Sequence, residues 1–340
     1  MPGFGAWTGR LTELADEIRR ATRAALLEGL ERGQQAELAR PHGQGAGDVT
    51  FGLDVPSEEA LDRWFVARAR EGPLSLFSED RGWRHLGPAP GGEPPRELPG
   101  FDHGGPRIAV DPIDGTRNLM VDLRSAWTVI SFAHPGPGMP RFADLTGGVV
   151  AEIPPTNAAR HRVLAAEPGE CRLAEYDLLR GTRLGSRILR VDADARADHG
   201  YFPFFRYEPA HRPALAQLER AFFERLARHE GADLCNVYDD QYISSAGQLV
   251  LLALGTYRMI VDARALVARR AHVAAVTSKP YDVAGAILCT RAAGAVVTAA
   301  DGSPLDFPLD ATTQVDMAGY ANEATRARLE PHWLAVLAEA

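Results

Sequence analysis

Four acids stand where a chain building only a core would not put them. Asp111 and Asp114 end the apolar run 108–110, and the turn Gly115-Thr116 follows at once. Glu79 ends the short run 74–77, and Asp282 opens the apolar stretch that continues to residue 293. Aspartate is depleted in strands, and a buried unpaired carboxylate is costly. Such positions make sense if positive charge sits against them. Carboxylates crowded into one pocket raise one another's pKa values, so a cluster of them needs cations to stay ionised. Oxygen-only ligands select hard ions, Mg²⁺ or Mn²⁺ before Zn²⁺. Carboxylates shared by two ions roughly 3.5–4 Å apart form the clamp of in-line phosphoryl displacement. The amides of Gly115-Thr116 would receive a phosphate oxygen, and the Thr116 hydroxyl would orient a water. Each piece alone also has an ordinary reading: Asp-Gly-Thr as a turn, Ser78-Glu79-Asp80 as a solvated loop, Asp282 as polarity at a helix start.

Other segments must carry these acids. Leu11, Leu14, Ala15, Ile18, Ala21, Ala25 and Leu30 recur at helical spacing and predict one long amphipathic helix over residues 9–38. The stretch Pro41-His42-Gly43-Gln44-Gly45-Ala46-Gly47 breaks it and reads as a flexible linker, without the spacing of a nucleotide-binding loop. Ser57 is placed to cap a helix carrying Leu61, Trp64 and Phe65 inward. Residues 87–106, rich in Gly and Pro, predict an irregular surface excursion. Strands are expected at 127–132, 148–153, 162–166, 188–191, 258–262 and 317–320. Helices are expected at 213–229, 245–254, 280–293 and 323–339, the last kinked or split by Pro331. Residues 295–305 read as a hairpin. This alternation predicts a mixed α/β or α+β layered fold with a division near 150–190. We set the division between residues 1–160, which hold Glu79 and the Asp111 stretch, and 161–340, which hold Asp282.

Composition narrows the function. The 340 residues are 45% hydrophobic and 24% charged, an ordinary globular balance. A net charge of −8 with no long basic cluster argues against nucleic acid as a partner and suits a cation-binding pocket. Cys171, Cys235 and Cys289 are far apart, which predicts free thiols and no zinc site. The most apolar helical run, 249–254, is far short of the roughly 20 residues a membrane span needs, and residues 1–10 carry no signal-peptide pattern. The expectation is a cytoplasmic protein with no membrane contact.

The run Asp111-Pro112-Ile113-Asp114-Gly115-Thr116-Arg117-Asn118 resembles the signature of the inositol monophosphatase family, part of the Mg²⁺-dependent, lithium-sensitive phosphatase superfamily that includes fructose-1,6-bisphosphatase. Tyr281-Asp282-Val283-Ala284-Gly285-Ala286, followed by Ala292-Ala293-Gly294-Ala295, resembles its second signature, with Tyr281 in place of the usual Trp. Ser78-Glu79-Asp80 and Val49-Thr50 with Asp54 and Glu58 match its weaker upstream blocks. The resemblance implies a five-layered αβαβα sandwich, commonly a homodimer. It implies two or three Mg²⁺ ions, with Mn²⁺ an alternative, held by Glu79, Asp111, the Ile113 carbonyl, Asp114 and Asp282. Gly115 and Thr116 would bind phosphate, and Thr116 and Glu79 would position and deprotonate the attacking water, with Asp54 hydrogen-bonded to Thr116. The implied substrate is a small-molecule phosphate ester, a sugar or polyol phosphate such as inositol 1-phosphate or fructose 1,6-bisphosphate.

The chain also departs from that pattern. Thr50 and Asp54 are one residue farther apart than in the family, and an upstream lysine is missing. Residues 255–282 are longer than usual and carry Arg264, Arg269 and Arg270, and residues 87–106 are extra. Asp262 sits where many members have a substrate-contacting acid. Two other readings follow. One is a catalytically altered, metal- or phosphate-binding regulatory module; the other is a phosphatase for another ester, such as 3′-phosphoadenosine phosphate or histidinol phosphate. A covalent aspartyl-phosphate enzyme is disfavoured, because its acids stand two apart and Asp111 and Asp114 stand three apart.

Overall fold

The structure is a computed structural model that describes residues 3–44 and 49–340. Among these residues the chain forms a nine-stranded sheet, a three-stranded sheet and helices packed between and outside them. The large sheet runs, from one edge, Arg183–Leu189, Glu170–Asp177, Arg160–Glu167, Leu145–Ile153, Ala126–Ala133, Arg107–Asp114, Leu74–Ser78, Gly82–Gly87 and Arg96–Glu97. Neighbours are antiparallel except Leu74–Ser78, which lies parallel to Arg107–Asp114. The small sheet places Met317–Tyr320 between Met259–Asp262 and Val296–Thr298.

Apolar stripes decide the layering. The helix Phe4–Glu31 buries Leu11, Leu14, Ala15 and Ile18 and, with Val55–Ala69, covers one face of the large sheet. The helix Pro280–Ala293 is buried on nearly every side, because it and Ser245–Ala253 fill the space between the two sheets. A helix apolar all round belongs in such a place. Arg212–Glu230 and Glu323–Glu339 turn Leu215, Phe222, Leu329 and Trp333 onto the outer face of the small sheet. The order helix, sheet, helix, sheet, helix is the five-layered αβαβα sandwich. No helix among the described residues is long and apolar enough to cross a membrane.

Several local expectations change. The first helix ends at Glu31, and a short turn of helix, Gln35–Leu38, follows. Residues 41–44 pair with Val49–Phe51, so part of the expected linker is strand; Gly45, Ala46 and Gly47 lie outside the described residues, as does Asp48. The large sheet continues to Leu189, past the division set at residue 160. Val296–Thr298 pairs with Met317–Tyr320 and forms no hairpin with residues 304–305, because burial against the Asp282 helix favours the longer-range partner. Pro331 sits inside a continuous helix, where buried Leu329 and Trp333 hold the turns on either side. Residues 87–106 fold back over the sheet edge, with the Phe101 ring 5.1 Å from Trp83 and 4.5 Å from His85.

One contact fixes how deeply the Asp282 helix sits. A Cβ on Gly285 would lie 2.5 Å from the Ile130 carbonyl oxygen, and one on Gly148 would lie 2.9 Å from the Gly285 carbonyl oxygen. Both partners are backbone and cannot swing away. Gly285→Ala should therefore cost about 1–3 kcal/mol through overpacking, seen as a lower urea midpoint at an unchanged slope. An unchanged midpoint would show that the helix has room to rise from the sheet.

Candidate active site

Strand register gathers the first acids. Ser78 pairs with Val110 in the parallel ladder, so Glu79 leaves its strand beside Asp111. On a regular strand, residues three apart face opposite sides. Here Asp111 pairs with Val129 and Asp114 with Trp127, so Pro112 and Ile113 together oppose Thr128 alone. This bulge turns both carboxylates to one side. Proline suits it, having no N–H to offer the ladder, and the Thr128 hydroxyl donates to the Pro112 carbonyl at 2.9 Å.

Asp282 reaches the same cleft from the other side as the third residue of Pro280–Ala293. Its Oδ2 accepts from the Lys279 N–H at 2.8 Å, which closes the first turn. Tyr281, 2% exposed, packs its ring 5.4 Å from Phe77 and anchors that turn to the sheet.

The carboxylates share one electrostatic field. Burial holds the Asp111 carboxyl well above the usual range, and the charges of Asp282, Asp114 and Glu79 push it further. Burial lifts Asp114 to about 6, opposed by hydrogen bonds from the Ser244 hydroxyl and the Ala246 and Ser245 amides. The Ser244 hydroxyl and the Ala246 N–H each donate to Asp114 Oδ2 at 2.6 Å. Asp111 Oδ1 accepts from the Ile113 N–H at 2.9 Å. Among the described residues no three acid, imidazole or thiol groups close into a finished ligand set. The donor chemistry nevertheless fits a hard cation: Glu79, Asp111, Asp114 and Asp282 supply oxygen only and line one cleft with Ile113.

Gly115 has φ +102°, and a Cβ there would lie 3.0 Å from the Ser244 Cβ, so glycine alone fits the turn. The Thr116 hydroxyl lies 2.9 Å from Asp54 Oδ1 and 3.0 Å from the Ile113 carbonyl oxygen. Asp54 Oδ2 accepts from the Phe51 N–H at 2.8 Å, and burial pushes this carboxyl up to about 6. Glu58, one helical turn on, is pushed up to about 7 by burial and by the charges of Asp80 and Asp62.

Asp262 is not brought to the site. It is 1% exposed, and its carboxylate is taken by the Arg264 fork: Nε donates to Oδ1 at 2.8 Å and Nη2 to Oδ2 at 2.7 Å. The Ser278 hydroxyl also donates to Oδ2 at 2.9 Å. A buried carboxylate next to a guanidinium two residues away pairs with it in preference to a ligand. Residues 87–106 do not line the cleft either; they cover the sheet edge. The cleft, about 370 Å³, is walled beyond the acids by Phe205, Tyr207, Ser245, Arg264, Ser278 and Lys279. Of this wall only Arg264 stood out in the sequence, because the rest has no periodic signal. Sequence reasoning also missed Ser244, whose place before an apolar helix is a recognisable N-cap, although its acceptor lies in a strand far upstream.

No family profile and no curated protein sequence matches the chain. Solved structures match it along nearly its whole length. Fructose-1,6-bisphosphatase of Leishmania major shares 14% identity over 97% of this chain and 95% of its own, with a TM-score of 0.64. The extragenic suppressor protein suhB of Bartonella henselae shares 18% identity over 96% and 98%, at 0.61. A Pyrococcus horikoshii protein described as similar to inositol-1 monophosphatase shares 15% over 97% of both chains, at 0.60. The chain has the inositol monophosphatase–fructose-1,6-bisphosphatase fold. Within that fold the Asp262–Arg264 pair is a structural element of this chain. Arg264→Met should cost about 3–5 kcal/mol because it strands Asp262, whereas Asp262→Leu with Arg264→Met should recover most of that loss. Chemical denaturation of the three proteins checks this, and equal loss in the single and double variants would contradict it.

Proposed function

We propose that the protein is a metal-dependent phosphomonoesterase acting on a small sugar or polyol phosphate, of the inositol 1-phosphate or fructose 1,6-bisphosphate kind. The observation that carries this reading is the convergence of Glu79, Asp111, Asp114 and Asp282 from two strand ends and a helix start onto one cleft, beside the Gly115-Thr116 turn. The fold supports it, since inositol monophosphatase-like and fructose-1,6-bisphosphatase structures share it.

Mg²⁺ or Mn²⁺ held by these four carboxylates and the Ile113 carbonyl would supply positive charge for the phosphoryl oxygens and make water a better nucleophile. The chain's own groups do the rest. The Gly115 and Thr116 amides take a phosphate oxygen and set the ester's direction. Asp54 accepts a hydrogen bond from the Thr116 hydroxyl, which leaves the hydroxyl oxygen's lone pair to orient the attacking water. Glu79, beside Asp111, accepts the proton that this water gives up. The reaction is one of positioning and charge neutralisation, with no protein atom bonded to phosphorus.

Purified protein should release inorganic phosphate from such esters with Mg²⁺ or Mn²⁺ and stop in excess chelator. Asp111→Asn should lower kcat by at least about 100-fold while leaving the circular dichroism spectrum unchanged. A folded Asp111→Asn protein with full activity would remove the assignment.

A further inference from the structure

The chain holds 37 basic residues, and Lys279 is its only lysine. Everywhere else that this sequence places a permanent cation it uses arginine. The single exception lines the cleft, half-buried, as the residue that caps the Asp282 helix. Arg264, the other cation of that wall, is occupied. Its fork is on Asp262, and its remaining nitrogen, Nη1, donates to the Tyr207 hydroxyl at 2.6 Å and the Val276 carbonyl at 2.8 Å. Its guanidinium also lies 4.4 Å from the Phe205 ring centroid and 4.9 Å from that of Tyr207. The Lys279 main chain is used by Asp282, but its ammonium makes no hydrogen bond or ion pair among the described residues.

These facts set the chemistry of the wall beyond the acids. A carboxylate there would accept from the hydroxyls of a neutral polyol. The carboxylate in the sequence position for that task, Asp262, is buried and paired with Arg264, and what that wall presents is a compact ammonium with three donors. An ammonium is a point charge that can reach one oxygen in a narrow corner where a planar guanidinium needs a flat, bidentate partner. Resting on the phosphatase reading, we infer that Lys279 is a specificity-determining residue that binds a second anionic group, phosphate or carboxylate, on the alcohol side of the scissile ester. The preferred substrates are then polyol phosphates carrying two anions.

The test uses one scaffold with and without the second anion: inositol 1-phosphate against inositol 1,4-bisphosphate, and the non-hydrolysable phosphonate analogue of each. Release of the 1-phosphate gives kcat/KM, and calorimetry with the phosphonates gives affinity without turnover, both with Mg²⁺ present. The wild-type protein should favour the two-anion member by about tenfold or more in both readouts. Lys279→Met should bring both ratios to within about twofold, and Lys279→Arg should fall between. Lys279→Gln replaces the Met variant if that one misfolds. A wild-type protein without the preference, or a variant that keeps it, overturns the inference. So does a folded variant that loses both ligands equally, which would place Lys279 on the scissile phosphate or the acid cluster. If no ester is turned over but the phosphonate preference is present and depends on Lys279, this inference stands and the phosphatase reading fails.

Discussion

Like charge in a buried place is the constraint around which the molecule is built. Asp111 is buried and Asp114 half-buried, and the charges of Asp282, Asp114 and Glu79 raise the Asp111 carboxyl on top of the effect of burial. An arrangement of this kind costs stability and persists only if the surrounding structure holds it. Each acid stands on a buried element or directly after one. Asp111 and Asp114 stand on a strand buried along nearly its whole length, Asp282 lies in the first turn of a helix sandwiched between two sheets, and Glu79 follows a fully buried strand. The helix Ser245–Ala253 offers its first amides to Asp114, so a helix dipole answers part of the charge.

The five layers bring these acids to one cleft. Two sheets with helices between them allow acids from residues 79, 111, 114 and 282 to line it. The close approach at Gly148 and Gly285 sets the depth of that layer. The bulge at Pro112 and Ile113 converts an odd strand spacing into a shared face. Either device altered would shift carboxylates that share the cleft only because backbone allows it.

What was legible in the sequence follows the range of the interactions. The helix at 280–293 was readable to the residue, because its start carries Pro and its interior is continuously apolar. The Asp111-Asn118 run stood out because acids after a β-branched run are locally costly. Contacts that join distant segments were not legible. Ser244 on Asp114, the pairing of Val296–Thr298 with Met317–Tyr320, and the cover that residues 87–106 give the sheet edge all depend on tertiary neighbours. Asp262 was misread for the same reason: its type and place suited a ligand, but Arg264 two residues on, brought round by a helix start, took both oxygens. The uneven use of lysine and arginine, by contrast, was present in the sequence and acquires a meaning only once Lys279 is seen in the cleft.

The central claim is that the four carboxylates form a cation site. A crystal grown with Mn²⁺ and measured at a wavelength where manganese scatters anomalously tests it most directly. The account predicts anomalous peaks within about 2.0–2.4 Å of carboxylate oxygens of Asp111, shared with Asp114, Asp282 and Glu79. Peaks confined to surface acids, with the Asp111 cleft left without manganese at millimolar concentration, would contradict it.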